Sequence, residues 1–149
     1  MHNRKLDDLV GLLAECGKIA LKYYQNPHIE LKPDNTVVTL ADQEIEELLC
    51  QRFDRPEAGC YLLGEETIGN KSEAYLEAAL KAPLCYIVDP IDGTAPYSAQ
   101  VPLWGVSIGL MQFGKLVEGA IYLPVADIAT VSLKGTLWEV KNLQTGHPE

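Results

Sequence analysis

The sequence lacks several features that would assign a functional class directly. It has no apolar run of membrane-spanning length, and its four cysteines include no pair at the spacing of a metal or redox motif. Basic residues are few, since 12 Lys and Arg stand against 21 Asp and Glu and leave a net charge of −9. Without a basic stripe to release counterions, a nucleic-acid polymer is excluded as a partner. The three histidines lie near the ends or in a loop-like segment and suggest no role: His2, His28 and His147.

The N-terminal segment predicts an amphipathic helix and not a signal peptide. Apolar residues recur at three- and four-residue steps between Leu6 and Tyr23. Asp7, Asp8 and Glu15 interrupt the apolar stretch that a secretory signal needs. The cysteines fall mainly within apolar patterns, which is typical of reduced thiols in a core. We therefore expect a cytoplasmic protein that does not associate with membranes.

The remaining pattern predicts an α+β domain, with helices packed on a mostly antiparallel sheet. A helix is predicted from near Ala41, with Thr39 as cap, and a further helix follows the cap Ser72. Short strands are predicted in CYLLGEE and in the apolar segment that begins at Leu84. From Leu103 onward, closely spaced strands joined by short turns predict an antiparallel meander.

Residues 84–97, LCYIVDPIDGTAPY, place two aspartates directly after an apolar strand. Asp89 and Asp92 are three positions apart, and Pro90 and Gly93 allow a turn in which both carboxylates converge. Like charges held this close are unfavourable unless a cation or a proton lies between them. Mg²⁺ takes oxygen ligands, usually one or two carboxylates together with waters and phosphate oxygens. The segment therefore predicts a site for a hard cation.

Thr94 follows this turn and supplies a hydroxyl beside the two aspartates. If Ala95 and Pro96 begin a helical turn, we expect Thr94 to be its cap. The free N–H groups at such a helix start are suited to binding a phosphate.

Two other interpretations compete with the cation site. Asp-Pro and Asp-Gly are ordinary turn dipeptides, but Glu65 and Glu66 follow another apolar strand, which suggests that acids gather at one edge of a sheet. Haloacid-dehalogenase phosphatases carry Asp-x-Asp-Gly-Thr on the first strand of a parallel sheet. Here the spacing is one residue longer and the segment lies mid-chain, so we rank this alternative low.

With these segments in place, the chain resembles the inositol monophosphatase family, whose relatives include fructose-1,6-bisphosphatases and 3′(2′),5′-bisphosphate nucleotidases. The resemblance implies a layered sandwich fold and Mg²⁺-dependent, lithium-sensitive hydrolysis of small phosphate monoesters, with two or three ions. Four segments carry it in the family's order: VVTLADQEIEELL (37–49), LLGEE (62–66), YIVDPIDGTAPY (86–97) and PLWGVSIGLMQFGKLVEGAIYLP (102–124).

The resemblance also implies a role for individual residues. The first metal would be held by Glu65, Asp89 and the backbone carbonyl of Ile91, and Asp89 would bridge to a second metal that Asp92 also binds. The attacking water would be oriented and deprotonated by Asp42 with Thr94, and Glu65 belongs to the same catalytic set. The phosphate would be held by the amides of Gly93 and Thr94, with Lys32 near it. Glu66 would support the metal ligands, and Tyr97 and Gln100 would lie near the entrance, although packing is the expected job of Tyr97.

The resemblance covers the family's N-terminal half, so residues 1–149 are expected to form a single domain without the C-terminal half. The Trp-Asp-x-Ala-Ala-Gly motif of that second half has no match, since Trp104 precedes Gly105 and Trp138 precedes Glu139. Three possibilities follow: a fragment of a phosphatase, which we favour, a half that forms a homodimer, or a non-catalytic metal- or phosphate-binding protein. The expected partner is a small phosphorylated metabolite such as an inositol phosphate, another sugar phosphate or a nucleotide 3′-phosphate.

Overall fold

The computed structural model describes residues 4–25, 29–31, 37–145 and 148–149. The helices are α1 (Arg4–Tyr24), α2 (Leu40–Phe53), α3 (Glu73–Lys81) and the short α4 (Thr94–Ser98). The strands are β1 (Ile29–Leu31), β2 (Val37–Thr39), β3 (Cys60–Gly64), β4 (Leu84–Asp92), β5 (Gly105–Gln112), β6 (Lys115–Leu123), β7 (Ile128–Leu133) and β8 (Thr136–Lys141). No helix among these residues is both long and apolar enough to cross a bilayer.

Six strands form one sheet in the order β3-β4-β5-β6-β7-β8. Strands β3 and β4 are parallel, since α3 carries the chain back between them, and each later neighbour is antiparallel. Strands β1 and β2 form a separate antiparallel pair. The predicted α+β class, with helices on a mostly antiparallel sheet and a C-terminal meander, is confirmed.

Two helices cover one face of the six-stranded sheet. The apolar stripe of α1, including Leu13 and Cys16, packs with Ile45 of α2 against inward residues such as Val106 and Val131 of the sheet. Helix α3 lies on the opposite face, where its Ala79 meets Cys85 and Met111. Because side chains alternate along a strand, one sheet carries both clusters.

The rest of the second face has no helix packed on it within the described residues. Its outward apolar side chains are accordingly exposed, among them Ile87, Leu116, Ile121 and Leu137. They border a shallow depression that also contains Asp89. This surface is named the open face below.

The start of α2 shows how local sequence fixes an element near the site. The Thr39 hydroxyl accepts the Asp42 N–H at 3.3 Å, while Asp42 Oδ2 accepts the Thr39 N–H at 2.8 Å. This reciprocal arrangement is a capping box, and it confirms the prediction that Thr39 caps the helix. It holds Asp42 at the first turn of the helix, with its side chain fully buried.

Candidate metal centre

Glu65 and Asp89 lie side by side at the carboxyl ends of two parallel strands. The register pairs Gly64 with Val88, so the two acids occupy equivalent positions one residue further on. The Glu65 N–H donates to the Val88 carbonyl at 3.3 Å, and the Glu65 side chain lies close enough to Asp89 to raise the pKa of its carboxyl group. The structure therefore brings together the two acids assigned to the first metal.

Asp89 lies where a negative charge on its carboxyl group is unfavourable. Burial is the largest of the effects that raise the pKa of its carboxyl group to about 8, followed by the hydrogen bond to Glu65 and the charges of Glu65, Asp92 and Asp42. Its Oδ1 atom is buried and has no hydrogen-bond partner among the described residues. A buried anionic oxygen without a donor is costly, and a cation relieves that cost. The donor set thus fits a hard divalent ion.

Asp92 is less closely associated with this pair. It is exposed and lies beyond a break in the register between Asp89 and Asp92. In the described part of the chain, no three or more His, Cys, Asp or Glu side chains are arranged to hold a metal ion together. The acids assigned to metal binding are therefore assembled as a pair and not as a closed cage. A pair is compatible with Mg²⁺, which usually keeps several waters.

The turn after Asp89 differs in one detail from the sequence-based expectation. Thr94 is the first residue of α4 and not its cap, a position that Gly93 takes with φ at 91°. Only glycine adopts this left-handed backbone at little cost, and a Cβ on Gly93 would lie 2.9 Å from the Leu103 carbonyl oxygen. The prediction that Thr94 caps the helix was therefore wrong, because the reversal is made one residue earlier.

The Thr94 hydroxyl lies between two acceptors. It is 2.9 Å from the Ile91 carbonyl oxygen and 3.4 Å from Asp42 Oδ1. The pairing of Thr94 with Asp42 that the resemblance implies is thus present as a long hydrogen bond. The Ile91 carbonyl oxygen, which the resemblance assigns to the metal, has a second lone pair that the Thr94 hydroxyl does not use.

Asp42 links the cap of α2 to this turn. Burial raises the pKa of its carboxyl group, hydrogen bonds from Thr39 and Thr94 oppose that rise, and the charge of Glu65 adds to it. The Asp42 carboxylate is therefore more basic than that of an exposed aspartate.

Four other residues named from the sequence have different positions. Tyr97 is fully buried, donates its hydroxyl to the Ala20 carbonyl at 2.6 Å and belongs to the core. Gln100 is exposed and its amide donates to the Gln25 carbonyl at 2.5 Å. Glu66 follows Glu65 in the loop, half-buried. Lys32 lies outside the described residues.

Sequence reasoning missed Glu46. Its side chain is almost fully buried at 1% exposure, and its carboxylate accepts the N–H groups of Glu66 and Thr67, each at 2.8 Å. The signal was available: Glu46 follows Asp42 by four positions, so both acids lie on the inward face of α2 with Ile45 and Leu49.

Comparison with known proteins decides the family. The model of the inositol monophosphatase family matches residues 2–146. The chain belongs to the inositol monophosphatase family.

Individual relatives agree with this assignment. An inositol-1-monophosphatase of Mesorhizobium japonicum is 32% identical over 69% of this chain and 36% of its own length. A histidinol-phosphatase of Streptomyces coelicolor is 34% identical over 74% of this chain and 36% of its own length. The crystal structure of the extragenic suppressor protein suhB of Bartonella henselae matches with a TM-score of 0.72 and 26% identity, over 92% of this chain and 52% of that one. This chain therefore spans about half the length, or less, of the relatives it matches.

Proposed function

We propose that this chain supplies the Mg²⁺-binding half of an enzyme that hydrolyses a small phosphate monoester. The observation that carries the proposal is the pair of carboxyl groups of Glu65 and Asp89, with the buried Oδ1 of Asp89 lacking a donor in the described residues. Family membership supports it, because relatives bear the names of phosphatases. The free, buried thiols of Cys16 and Cys85 are in keeping with a reducing compartment, the cytoplasm.

The assigned roles rest on the family resemblance. Glu65, Asp89 and the Ile91 carbonyl would hold one Mg²⁺, and Asp89 and Asp92 would hold a second. Bound Mg²⁺ neutralises phosphate charge and lowers the pKa of water.

The other side chains handle the water and the phosphate. Thr94 would orient the attacking water and take its proton while the Thr94 hydroxyl proton passes to Asp42, 3.4 Å away, and Glu65 belongs to the same catalytic set. The amides of Gly93 and Thr94 would hold the phosphate, and the resemblance assigns Lys32 to phosphate binding as well. Positioning and charge neutralisation are what phosphoryl transfer mainly requires.

The substrate class is proposed only as a phosphate monoester of a small metabolite. The relatives named above differ in this respect, one being an inositol-1-monophosphatase and another a histidinol-phosphatase. A panel should therefore contain an inositol phosphate, histidinol phosphate, another sugar phosphate and a nucleotide 3′-phosphate.

Phosphate release from this panel, with and without Mg²⁺, tests the proposal. Mg²⁺-dependent release that Asp89→Asn removes would mean that this half is active by itself, and lithium inhibition is then measured on the preferred substrate. Asp8→Asn, a change at an exposed aspartate on α1, is the matched control. A folded chain that binds Mg²⁺ but releases no phosphate would mean that the other half of the enzyme is needed or that the role is non-catalytic binding, and a chain that binds no Mg²⁺ would contradict the proposal.

A homodimer is the second candidate arrangement, and the open face favours it. Ile121 is 52% exposed and Leu137 72% exposed on this face, and contiguous exposed apolar surface is typical of an interface. Solution mass by light scattering distinguishes the two states. Ile121→Glu is expected to give a monomer and to abolish any activity that requires the dimer. A wild-type chain with the mass of a monomer would exclude the dimer.

A further inference from the structure

Glu46 places a buried carboxylate beneath the loop that carries Glu65. The side chain extends from α2 and is 1% exposed. Its Oε2 accepts the Glu66 N–H at 2.8 Å. Its Oε1 accepts both the Thr67 N–H at 2.8 Å and the Thr67 hydroxyl at 2.5 Å. Both oxygens are thus occupied by donors from one three-residue loop.

The end of β3 is shaped to admit this carboxylate. A Cβ on Gly64 would lie 1.9 Å from Glu46 Oε1 and 2.2 Å from Cδ. No side chain larger than hydrogen fits there unless Glu46 moves away. The glycine at position 64 of β3 therefore leaves the space that the Glu46 carboxylate of α2 occupies.

All three donors to Glu46 are neutral groups, so burying a charged carboxylate here costs free energy that no opposite charge offsets. A buried carboxylate costs more free energy than a neutral amide unless its hydrogen bonds require two acceptors. Here they do, because a glutamine would turn its NH₂ group toward at least one backbone N–H. The contacts thus explain why the acid is present.

The loop is held on both sides of the Glu65 side chain. On one side the Glu65 N–H is bound to Val88 of β4, and on the other the next two N–H groups are bound to Glu46. The backbone of Glu65 is fixed between these two points. Its side chain is consequently held next to Asp89, at the equivalent position of the neighbouring parallel strand.

We propose that Glu46 is a positioning residue that holds the 65–67 loop so that Glu65 and Asp89 present their oxygens to one cation. This inference rests on the metal centre proposed above. Partners that orient metal ligands typically change metal affinity 10–100-fold when removed, although they touch no metal themselves.

The test combines Mg²⁺ titration calorimetry with the backbone amide spectrum of the metal-free chain. In Glu46→Gln we expect Mg²⁺ affinity to fall by roughly 10–100-fold and the Glu66 and Thr67 amide resonances to move. Glu47→Gln is the matched control, because Glu47 is the next residue on α2 and is exposed. It removes the same charge, and its Mg²⁺ affinity should stay within about two-fold of wild type, since exposed charges are screened.

Thr67→Val separates geometry from charge. It keeps the size of the side chain and the net charge, and it removes only the hydroxyl donor to Glu46. A weaker but measurable loss of Mg²⁺ affinity is expected, together with a folded amide spectrum. This variant also covers the case in which Glu46→Gln fails to fold.

The possible outcomes distinguish this inference from the proposed function. Wild-type Mg²⁺ affinity in both Glu46→Gln and Thr67→Val would overturn the positioning role while leaving the metal centre in place. A wild-type chain that binds no Mg²⁺ would overturn the metal centre, and with it the purpose assigned to Glu46, even if the Glu66 and Thr67 amides respond to Glu46→Gln.

Discussion

Asp89→Asn is expected to stabilise the metal-free chain at alkaline pH, although it removes an assigned metal ligand. The pKa of this carboxyl group is raised from 3.8 to about 8, first by burial and then by Glu65, Asp92 and Asp42. Between these two values the folded chain retains a proton that the unfolded chain has released. Raising the pH therefore favours unfolding, and this destabilisation is complete only once the pH has passed the folded-state pKa.

The magnitude follows from the burial of the group. A full proton difference between the folded and unfolded chain is worth about 1.4 kcal/mol per pH unit. Asp89 is half-buried, and water screens its neighbours, so we expect only about 1–2 kcal/mol between roughly pH 5 and 8. The variant should melt about 3–6 °C above wild type at the upper pH, and near the wild-type temperature at the lower one.

The assay is urea denaturation in the presence of a chelator, at a series of pH values. The free energy of unfolding of wild type should fall more steeply with pH than that of Asp89→Asn, and Asp8→Asn serves as the exposed control. Added Mg²⁺ should stabilise wild type and not Asp89→Asn, because only wild type keeps the ligand. Parallel pH profiles for wild type and Asp89→Asn would refute the reasoning.

Three further substitutions test the elements that support the site. Thr39→Ala removes the cap of α2 and should cost about 1 kcal/mol in urea denaturation; an unchanged midpoint would contradict the capping box. Gly93→Ala should cost about 1–2 kcal/mol or more, because φ is 91° and the Leu103 carbonyl is close; wild-type melting would contradict this strain. Tyr97→Phe removes the donor to Ala20 and should cost about 1 kcal/mol without changing Mg²⁺ affinity by calorimetry. A loss of affinity would place Tyr97 in the site.

Local patterns were sufficient to predict much of the fold and the acids of the candidate site. The capping box involves only Thr39 and Asp42, which are three positions apart in the sequence. Acids after two apolar strands indicated a shared edge, and the parallel register of β3 and β4 places Glu65 level with Asp89. The capping box is a feature that a short stretch of sequence determines, whereas the level positions of Glu65 and Asp89 also depend on how the two strands pair.

What the sequence could not provide depends on contacts between distant segments. Glutamate on a helix usually faces solvent, so the residue type offers no reason to expect Glu46 to be buried. Its carboxylate is buried because it accepts hydrogen bonds from a loop 20 residues later. The helix cap at Gly93 was misplaced because Thr94 is the better cap by residue type, whereas the close approach of Leu103 requires glycine in the reversal. The proximity of the Thr94 hydroxyl to Ile91 and Asp42 likewise depends on backbone direction.

The central claim is that Glu65 and Asp89 hold a divalent cation, and anomalous diffraction from a crystal soaked in Mn²⁺, which shares oxygen ligands with Mg²⁺, tests it most directly. The account predicts an anomalous peak within bonding distance of Asp89 Oδ1 and the Glu65 carboxylate, absent from crystals of Asp89→Asn. A peak elsewhere in the molecule, or none beside this pair at saturating Mn²⁺, would contradict it.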